Sequence, residues 1–204
     1  AINDLGQALK DQGKFDEAEP ILREALEGSR RMLGDEHPGT LISINNLGLL
    51  LEGQGKFDEA EPLLREALES SRRTLGDEHP DTLNLIVSMG VILQAQGKFD
   101  EAEKLTGEAL ESYRRVFGDD HPDTLNAINN LGHALKDQGK FAEAESCFWQ
   151  ALKGKRKVLG DDHPDTLISI NNLSTFLSSL GKLDEAEKLT GEALESCRHV
   201  FGND

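Results

Sequence analysis

The residues from Gly55 to Leu68 read GKFDEAEPLLREAL, and this stretch recurs along the whole chain. Its opening core is Gly-Lys, then Phe or Leu, then Glu-Ala-Glu after one variable residue, and it begins at five glycines: Gly13, Gly55, Gly97, Gly139 and Gly181. Consecutive copies lie 42 residues apart. A constant period of roughly 20 to 50 residues is the signature of a stacked repeat array. The period therefore predicts one elongated array with a distributed core.

Each repeat contains two helix patterns that are separated by a glycine turn. In the second repeat, Pro38 precedes apolar residues at helical spacing, namely Leu41, Ile44, Leu47, Leu50 and Leu51. A second helix is predicted from about Phe57 to Leu75, with a buried face formed by Ala60, Leu64, Ala67, Leu68 and Leu75. Gly55, between the two helices, is expected to take a positive φ. Five helix-turn-helix units follow, at approximately 1–34, 35–76, 77–118, 119–160 and 161–204.

Composition limits the partners of this chain. Its 204 residues carry a net charge of −16, and an acidic chain repels phosphate backbones. We therefore expect neither nucleic acid nor an anionic membrane as a partner, whereas basic peptides or basic protein faces remain open. No apolar run approaches the ~20 residues that a membrane-spanning helix requires.

The cysteines and the ends of the chain give two further expectations. Cys147 and Cys197 form no CxxC pair, which argues against a disulfide framework or a zinc site and favours a reducing, cytoplasmic location. Ala1 opens in the middle of the repeat pattern and Asp204 falls inside a linker, so we expect a fragment of a longer array.

The repeat resembles the tetratricopeptide (TPR) motif over the whole chain. The residues that carry the resemblance are Leu47, Gly48, Leu51, Gly55, Phe57, Ala60, Leu64 and Ala67. The longer 42-residue unit, with the pair Asn45-Asn46 and the linker His79-Pro80-Asp81-Thr82-Leu83, is similar to the repeats of kinesin light chains. The resemblance implies an all-α, right-handed superhelix in one repeat domain, residues 1–204. It also implies that the first helix of each unit lines a concave groove that holds a peptide or partner segment.

The TPR register maps the groove onto specific residues of this chain. The implied peptide-binding residues are Asn45, Asn46, Leu49, Val87, Ser88, Val91, Asn129, Asn130, His133, Lys136, Asn171 and Asn172. Asparagine is a poor helix former, and its carboxamide can both donate to and accept from a peptide backbone. An alternative is that one Asn of each pair forms a hydrogen bond between adjacent helices. Val87, Ser88 and Val91 interrupt the asparagines, and we expect an apolar pocket there for one partner side chain.

Other patterns favour structural roles. The linker residues His37, His79, His121 and His163 are too far apart to share one metal ion and are expected to anchor the linkers or cap the next helices. Gly53-Gln54-Gly55-Lys56 lacks the spacing of a phosphate-binding loop, so no nucleotide or other cofactor is expected. The acidic and basic residues of the second helices are predicted to form solvated faces. Trp149, at the repeat position of Arg65, is expected on the convex side, partly packed.

The predicted function is a non-catalytic scaffold that binds a peptide or protein segment in its groove. No catalytic set stands out from residues that recur in structural roles, so an enzyme is not expected. The alternative is a sensor or self-assembly segment of a larger NB-ARC/NACHT-like receptor. In that case the ends of the array would stack on one another, and end-to-end self-association would follow.

Overall fold

The computed structural model describes residues 2–201, without the side chains of residues 197 and 199–201. The described residues form ten α-helices and no strand: α1 Ile2–Asp11, α2 Phe15–Leu33, α3 Pro38–Gly53, α4 Phe57–Thr74, α5 Pro80–Ala95, α6 Phe99–Phe117, α7 Pro122–Asp137, α8 Phe141–Leu159, α9 Pro164–Ser179 and α10 Leu183–Phe201. The prediction of an all-α fold with five helix-turn-helix repeats is confirmed. The predicted second helix of the second repeat is one residue shorter than expected, because Leu75 is its C-cap.

A histidine caps the first helix of each complete repeat. His37 Nδ1 accepts a hydrogen bond from the backbone N–H of Gly39 at 3.0 Å, and a proline occupies the first turn. His79, His121 and His163 accept equivalent bonds at 3.2 Å from the residue two positions later. Each bond satisfies one of the N–H groups that a helix start leaves unpaired. The capping interpretation of these histidines is therefore confirmed.

A glycine with positive φ ends the first helix of each hairpin. Gly55 has φ of 72°, and its N–H donates to the carbonyl oxygen of Glu52 at 2.8 Å. The next N–H, of Lys56, donates to Leu51 at 2.8 Å. A side chain at this φ would strain the backbone, so glycine is the residue that allows two helices to follow one another after a short turn.

The helices form two compact units, with the boundary between Leu105 and Thr106 inside α6. In the first unit, α3 packs against α2, α4 and α5. The predicted core residues of α3 are at most 1% exposed: Leu41, Ile44, Leu47, Leu50 and Leu51. Gly48 permits the close approach of α4, because a Cβ at this position would lie only 2.7 Å from Leu64 Cδ2. Leu75, predicted as buried, is only half-buried.

In the second unit, α8 packs against α7 and α9, and α9 packs against α10. Phe148 of α8 is the largest buried side chain there, and its ring centroid lies 5.1 Å from that of Phe176. Burying a side chain of this size stabilises the fold by about 1.5–3 kcal/mol. Trp149, the next residue, is 37% exposed, so it is partly packed as predicted.

Ion pairs join the second helix of one repeat to the next repeat, which the prediction of solvated charged faces missed. In the first unit, Glu19 binds Arg23 of its own helix at 2.8 Å and Lys56 of the next repeat at 2.7 Å. Glu61 repeats the arrangement with Arg65 at 2.9 Å and Lys98 at 2.7 Å. Both carboxylates are less than a fifth exposed. The pKa of Glu19 and that of Glu61 are each lowered to about 2. The largest cause is the hydrogen bond from Lys56 for Glu19 and from Lys98 for Glu61.

Candidate functional site

The predicted groove residues lie on the first helices of the repeats, where each helix has one accessible face. On α3 this face is formed by residues spaced three or four apart: Ile42, Asn45, Asn46, Leu49 and Glu52. Ile42 is 45% exposed, and the other four are half-buried. On α5 the equivalent residues Val87 and Val91 are also half-buried. Because α3 packs against α5, these aliphatic and amide side chains belong to two adjacent helices of the first unit.

The second unit carries the remaining predicted residues on α7 and α9. Asn130, His133, Lys136 and Asn172 are half-buried and Asn171 is exposed. Two of the twelve predicted residues are instead buried: Ser88 in the first unit, at 5% exposure, and Asn129 in the second unit, at 9%. A buried side chain presents little surface to a partner, so Ser88 and Asn129 do not belong to the accessible face that their neighbours form.

Asn129 has a structural role that explains its burial. Its Oδ1 accepts a hydrogen bond from Asn172 Nδ2 at 3.3 Å, and the bond joins α7 to α9 across consecutive repeats. This is the alternative in which one Asn of a pair bonds between adjacent helices, and it holds for Asn129 and Asn172. The bond provides the partner that a buried carboxamide oxygen requires.

The equivalent position in the first unit lacks this bond. Asn45 stands where Asn129 stands in its own repeat, and Ser88 stands where Asn172 stands. The shorter Ser88 side chain makes no such bond, and Asn45 Oδ1 is buried with no hydrogen-bond partner among the described residues. Asn45 Oδ1 is therefore an unsatisfied acceptor on α3.

The accessible face of α7 contains two ionisable groups with different properties. His133 packs edge-on against Phe148 with ring centroids 5.0 Å apart, and burial lowers the pKa of its imidazole. At neutral pH this side chain is therefore uncharged. Lys136 Nζ lies 3.3 Å from Asp137 Oδ1. The face of α7 thus offers a neutral imidazole and an ammonium group that already has an anionic neighbour.

The glycine-lysine turn of the second repeat contacts the preceding repeat. Lys56 Nζ is bound to Glu19 Oε2 at 2.7 Å, and Gln54 Nε2 donates to the same oxygen at 2.9 Å. The turn joins one repeat to the previous one. Among the described residues, no group of three or more His, Cys, Asp and Glu side chains is arranged to hold a metal ion.

Sequence reasoning missed a buried lysine in the second unit. Lys155 of α8 is 2% exposed, and its Nζ donates to the carbonyl oxygen of Asp165 at 3.3 Å. On α9, the hydroxyl oxygens of Thr166 and Ser169 are also buried, and neither has a hydrogen-bond partner in the described part of the chain. Alignment of the repeats could have indicated this lysine, because the equivalent residues of the preceding repeats are uncharged: Ser29, Ser71 and Tyr113.

None of the helices between residues 2 and 201 combines the length and the apolar character that crossing a membrane demands. The tetratricopeptide repeat family matches the chain over residues 1–73, 43–105, 81–157 and 125–199. No curated protein matches it.

Solved structures show the same fold at low sequence identity. A putative kinesin light chain of Podosopora anserina with nearly identical TPR-like repeats is 24% identical, with a TM-score of 0.79 over 99% of this chain and 96% of that one. BtubC (BKLC) from P. vanneervenii is 23% identical, with a TM-score of 0.80 over 100% and 81%. A Rap protein in complex with the competence and sporulation factor is 17% identical, with a TM-score of 0.81 over 96% and 53%. These similarities establish the fold alone.

Proposed function

Since this chain belongs to the tetratricopeptide repeat family, whose members mediate protein–protein interactions, we propose that it is a non-catalytic scaffold that binds a peptide segment on its first helices. The observation that carries the proposal is the accessible face of α3 and α5. There, Leu49, Val87 and Val91 are half-buried, and Asn46 makes no hydrogen bond with any described residue. Aliphatic surface and unpaired amides are the two features that an extended peptide uses for affinity and orientation.

A rigid scaffold favours such binding. The core residues of α3 and α5 are almost completely buried, and ion pairs hold their repeats together. Because the face exists before the ligand arrives, little ordering entropy is lost on the protein side. The Rap protein, which has the same fold, was solved in complex with a factor, and this supports the proposal.

Substitution of the aliphatic residues tests this proposal. Peptides selected from a display library on the wild-type chain would be measured against the Val87→Asp/Val91→Asp variant by fluorescence anisotropy. We expect affinity to fall by about tenfold or more, because two desolvated contacts are replaced by charges. Val158→Asp is the matched control, since Val158 of α8 is 43% exposed outside this face. Circular dichroism and the milder Val91→Thr variant separate lost binding from lost folding. Unchanged affinity in both groove variants would refute the proposal.

A second candidate function is self-assembly, alone or as the sensor segment of a larger receptor. On α10, Leu183 is 64% exposed and Leu194 is 50% exposed, whereas Leu152, at the repeat position of Leu194 on α8, is 1% exposed. An apolar face of this kind is usually covered by a further repeat or by another chain. Light scattering over a concentration series distinguishes the candidates: growth in mass that is lost in Leu194→Glu supports assembly, and a constant monomer excludes it.

The free thiol of Cys147 supports a cytoplasmic location, which we propose for this scaffold. Burial is the main cause of the raised pKa of this thiol, and the negative charge of neighbouring Glu143 raises it further. Thiolate is the reactive form, so a thiol with a raised pKa remains reduced more readily.

A further inference from the structure

Helix α10 exposes an apolar position that the second helix of every earlier repeat buries. Leu194 of α10 is exposed, whereas the equivalent leucines of α2, α4, α6 and α8 are at most 6% exposed: Leu26, Leu68, Leu110 and Leu152. Inside the chain, a second helix packs against the first helix of the following repeat, as α2 does against α3 and α8 against α9. Leu194 therefore belongs to a surface that matches a further first helix.

Helix α1 exposes the opposite side of the same kind of contact. Ile2 and Leu5 of α1 are exposed. The residues at their repeat positions on α3, α5 and α9 are at most 2% exposed: Ile44, Ile86, Ile170, Leu47, Met89 and Leu173. Ile2 also lines an open cavity of about 310 Å³ together with Met32 and Leu33 of α2, so this side of the α1–α2 hairpin is accessible and apolar.

Ion pairs between consecutive repeats define the register in which a second helix meets the next repeat. Glu61 of α4 binds Lys98, the residue before α6, at 2.7 Å, and the two residues are 37 positions apart. A second pair has the opposite polarity, because Arg30 of α2 binds Glu66 of α4 at 3.3 Å over 36 positions. Each contact between repeats can therefore contain one acid and one base from each side.

The two exposed faces carry the separate halves of these ion pairs. On α10, Glu187 stands at the repeat position of Glu61 and Arg198 at that of Arg30; on the α1–α2 hairpin, Lys14 stands at the position of Lys98 and Glu24 at that of Glu66. All four side chains on the exposed faces are themselves exposed. Lys14, Glu24 and Glu187 form no ion pair with a described residue. The two faces are therefore complementary in charge as well as apolar.

We propose that α10 of one copy of this chain binds the α1–α2 hairpin of a second copy, head to tail. Glu187 of the first copy pairs with Lys14 of the second, Arg198 pairs with Glu24, and α1 of the second copy covers Leu194. A contact of the same kind already joins consecutive repeats within the chain. Because the two faces differ, each copy can bind two others. This inference rests on the self-assembly candidate, to which it adds the two surfaces and their register, and it is independent of the groove.

Paired charge reversals test the register. Glu187→Lys places a lysine opposite Lys14 of the second copy, and Lys14→Glu places two glutamates opposite each other. We expect each variant alone to associate about tenfold more weakly than the wild-type chain in sedimentation velocity at physiological ionic strength, because like charges then face each other. An equimolar mixture of the two variants should recover association, since every contact between alternating copies again contains one acid and one base.

A matched control separates this register from general repulsion between acidic chains. Glu143→Lys makes the same charge change on an exposed residue of α8 and should not weaken association. Repulsion between chains of net charge −16 predicts instead that both lysine variants associate more tightly. Equal effects of Glu143→Lys and Glu187→Lys would overturn the inference, and circular dichroism checks that each variant is folded.

The remaining outcomes distinguish this inference from the functions proposed above. If growth in mass is lost in Leu194→Glu but the mixture of charge variants does not recover association, self-assembly stands and the head-to-tail register is wrong. A wild-type chain that stays monomeric over the concentration series refutes both the register and self-assembly. Neither result bears on peptide binding by α3 and α5, which the Val87→Asp/Val91→Asp variant tests separately.

Discussion

Asn172 Nδ2 donates a hydrogen bond to Asn129 Oδ1 at 3.3 Å, and this bond joins the first helices of two consecutive repeats. In the second unit, this asparagine pair therefore contributes to the stacking of one repeat on the next. The first unit has the acceptor of this pair, Asn45, but Ser88 replaces the donor. The pair Asn129–Asn172 in the second unit has both the acceptor and the donor, whereas the equivalent pair Asn45–Ser88 in the first unit lacks the asparagine donor.

Exchanging the two donor positions should move stability in opposite directions. Asn172→Ser leaves Asn129 Oδ1 buried and unpaired, and we expect unfolding free energy to fall by about 1–3 kcal/mol. Ser88→Asn supplies a donor for Asn45 Oδ1, and we expect a gain of about 0.5–1.5 kcal/mol. Urea denaturation followed by circular dichroism measures both. A loss in both variants would mean that α3 and α5 lie too close for an asparagine at position 88.

Two helical glycines should respond oppositely to alanine. A Cβ at Gly48 would lie 2.7 Å from Leu64 Cδ2, so Gly48→Ala must push α4 away and should cost about 1–3 kcal/mol. Gly107 has no atom within 4 Å of the equivalent Cβ position and lies inside α6. Gly107→Ala should therefore stabilise the chain by about 1 kcal/mol through helix propensity. Thermal unfolding of both variants checks this, and equal effects would contradict the packing argument.

Acid should weaken the contacts between repeats through Glu19 and Glu61. The pKa of each is lowered from 4.5 to about 2, first by the salt bridges to Lys56 and Lys98. A lowered pKa means that the stabilisation is fully present above about pH 4.5 and is lost as pH falls from there towards 2. The Glu19→Gln/Glu61→Gln variant should be less stable at pH 6 and should lose less stability between pH 6 and pH 3. Parallel pH profiles of wild type and variant would refute this.

Removing the buried charge of Lys155 should stabilise the second unit. Lys155→Met keeps the volume of the aliphatic chain and removes the ammonium group, so we expect a gain of about 1 kcal/mol or more near neutral pH. Burial lowers the pKa of Lys155 below its ordinary 10.5, with Asp165 opposing the shift. The penalty therefore shrinks as pH rises towards 10.5, and the advantage of Lys155→Met should shrink with it. Lys153→Met, on the exposed side of α8, serves as the control and should give neither effect.

Much of the fold could be predicted because local chemistry repeats. The 42-residue period, the proline after each linker histidine and the glycine of positive φ specify where helices begin and end, and Leu41, Ile44 and Leu47 specify which face is buried. The placement of the candidate site was predicted only in part. Asn129 is buried although the next residue, Asn130, is of the same type and is half-buried, and Ser88 is buried although it is polar.

The order of residues along the chain was enough to establish ten helices in five repeats, since helix periodicity, caps and turns act over a few positions. It could not establish which oxygen of a recurring asparagine finds a donor, which glutamate lies between two cations or which helix position buries a lysine. The first two outcomes depend on atoms that are about 40 residues apart in the chain and within 4 Å in space, as for Asn172 with Asn129 and Lys56 with Glu19. Only the packing of one repeat on the next brings such atoms together, and in the first unit it leaves Asn45 Oδ1 buried without a donor among the described residues.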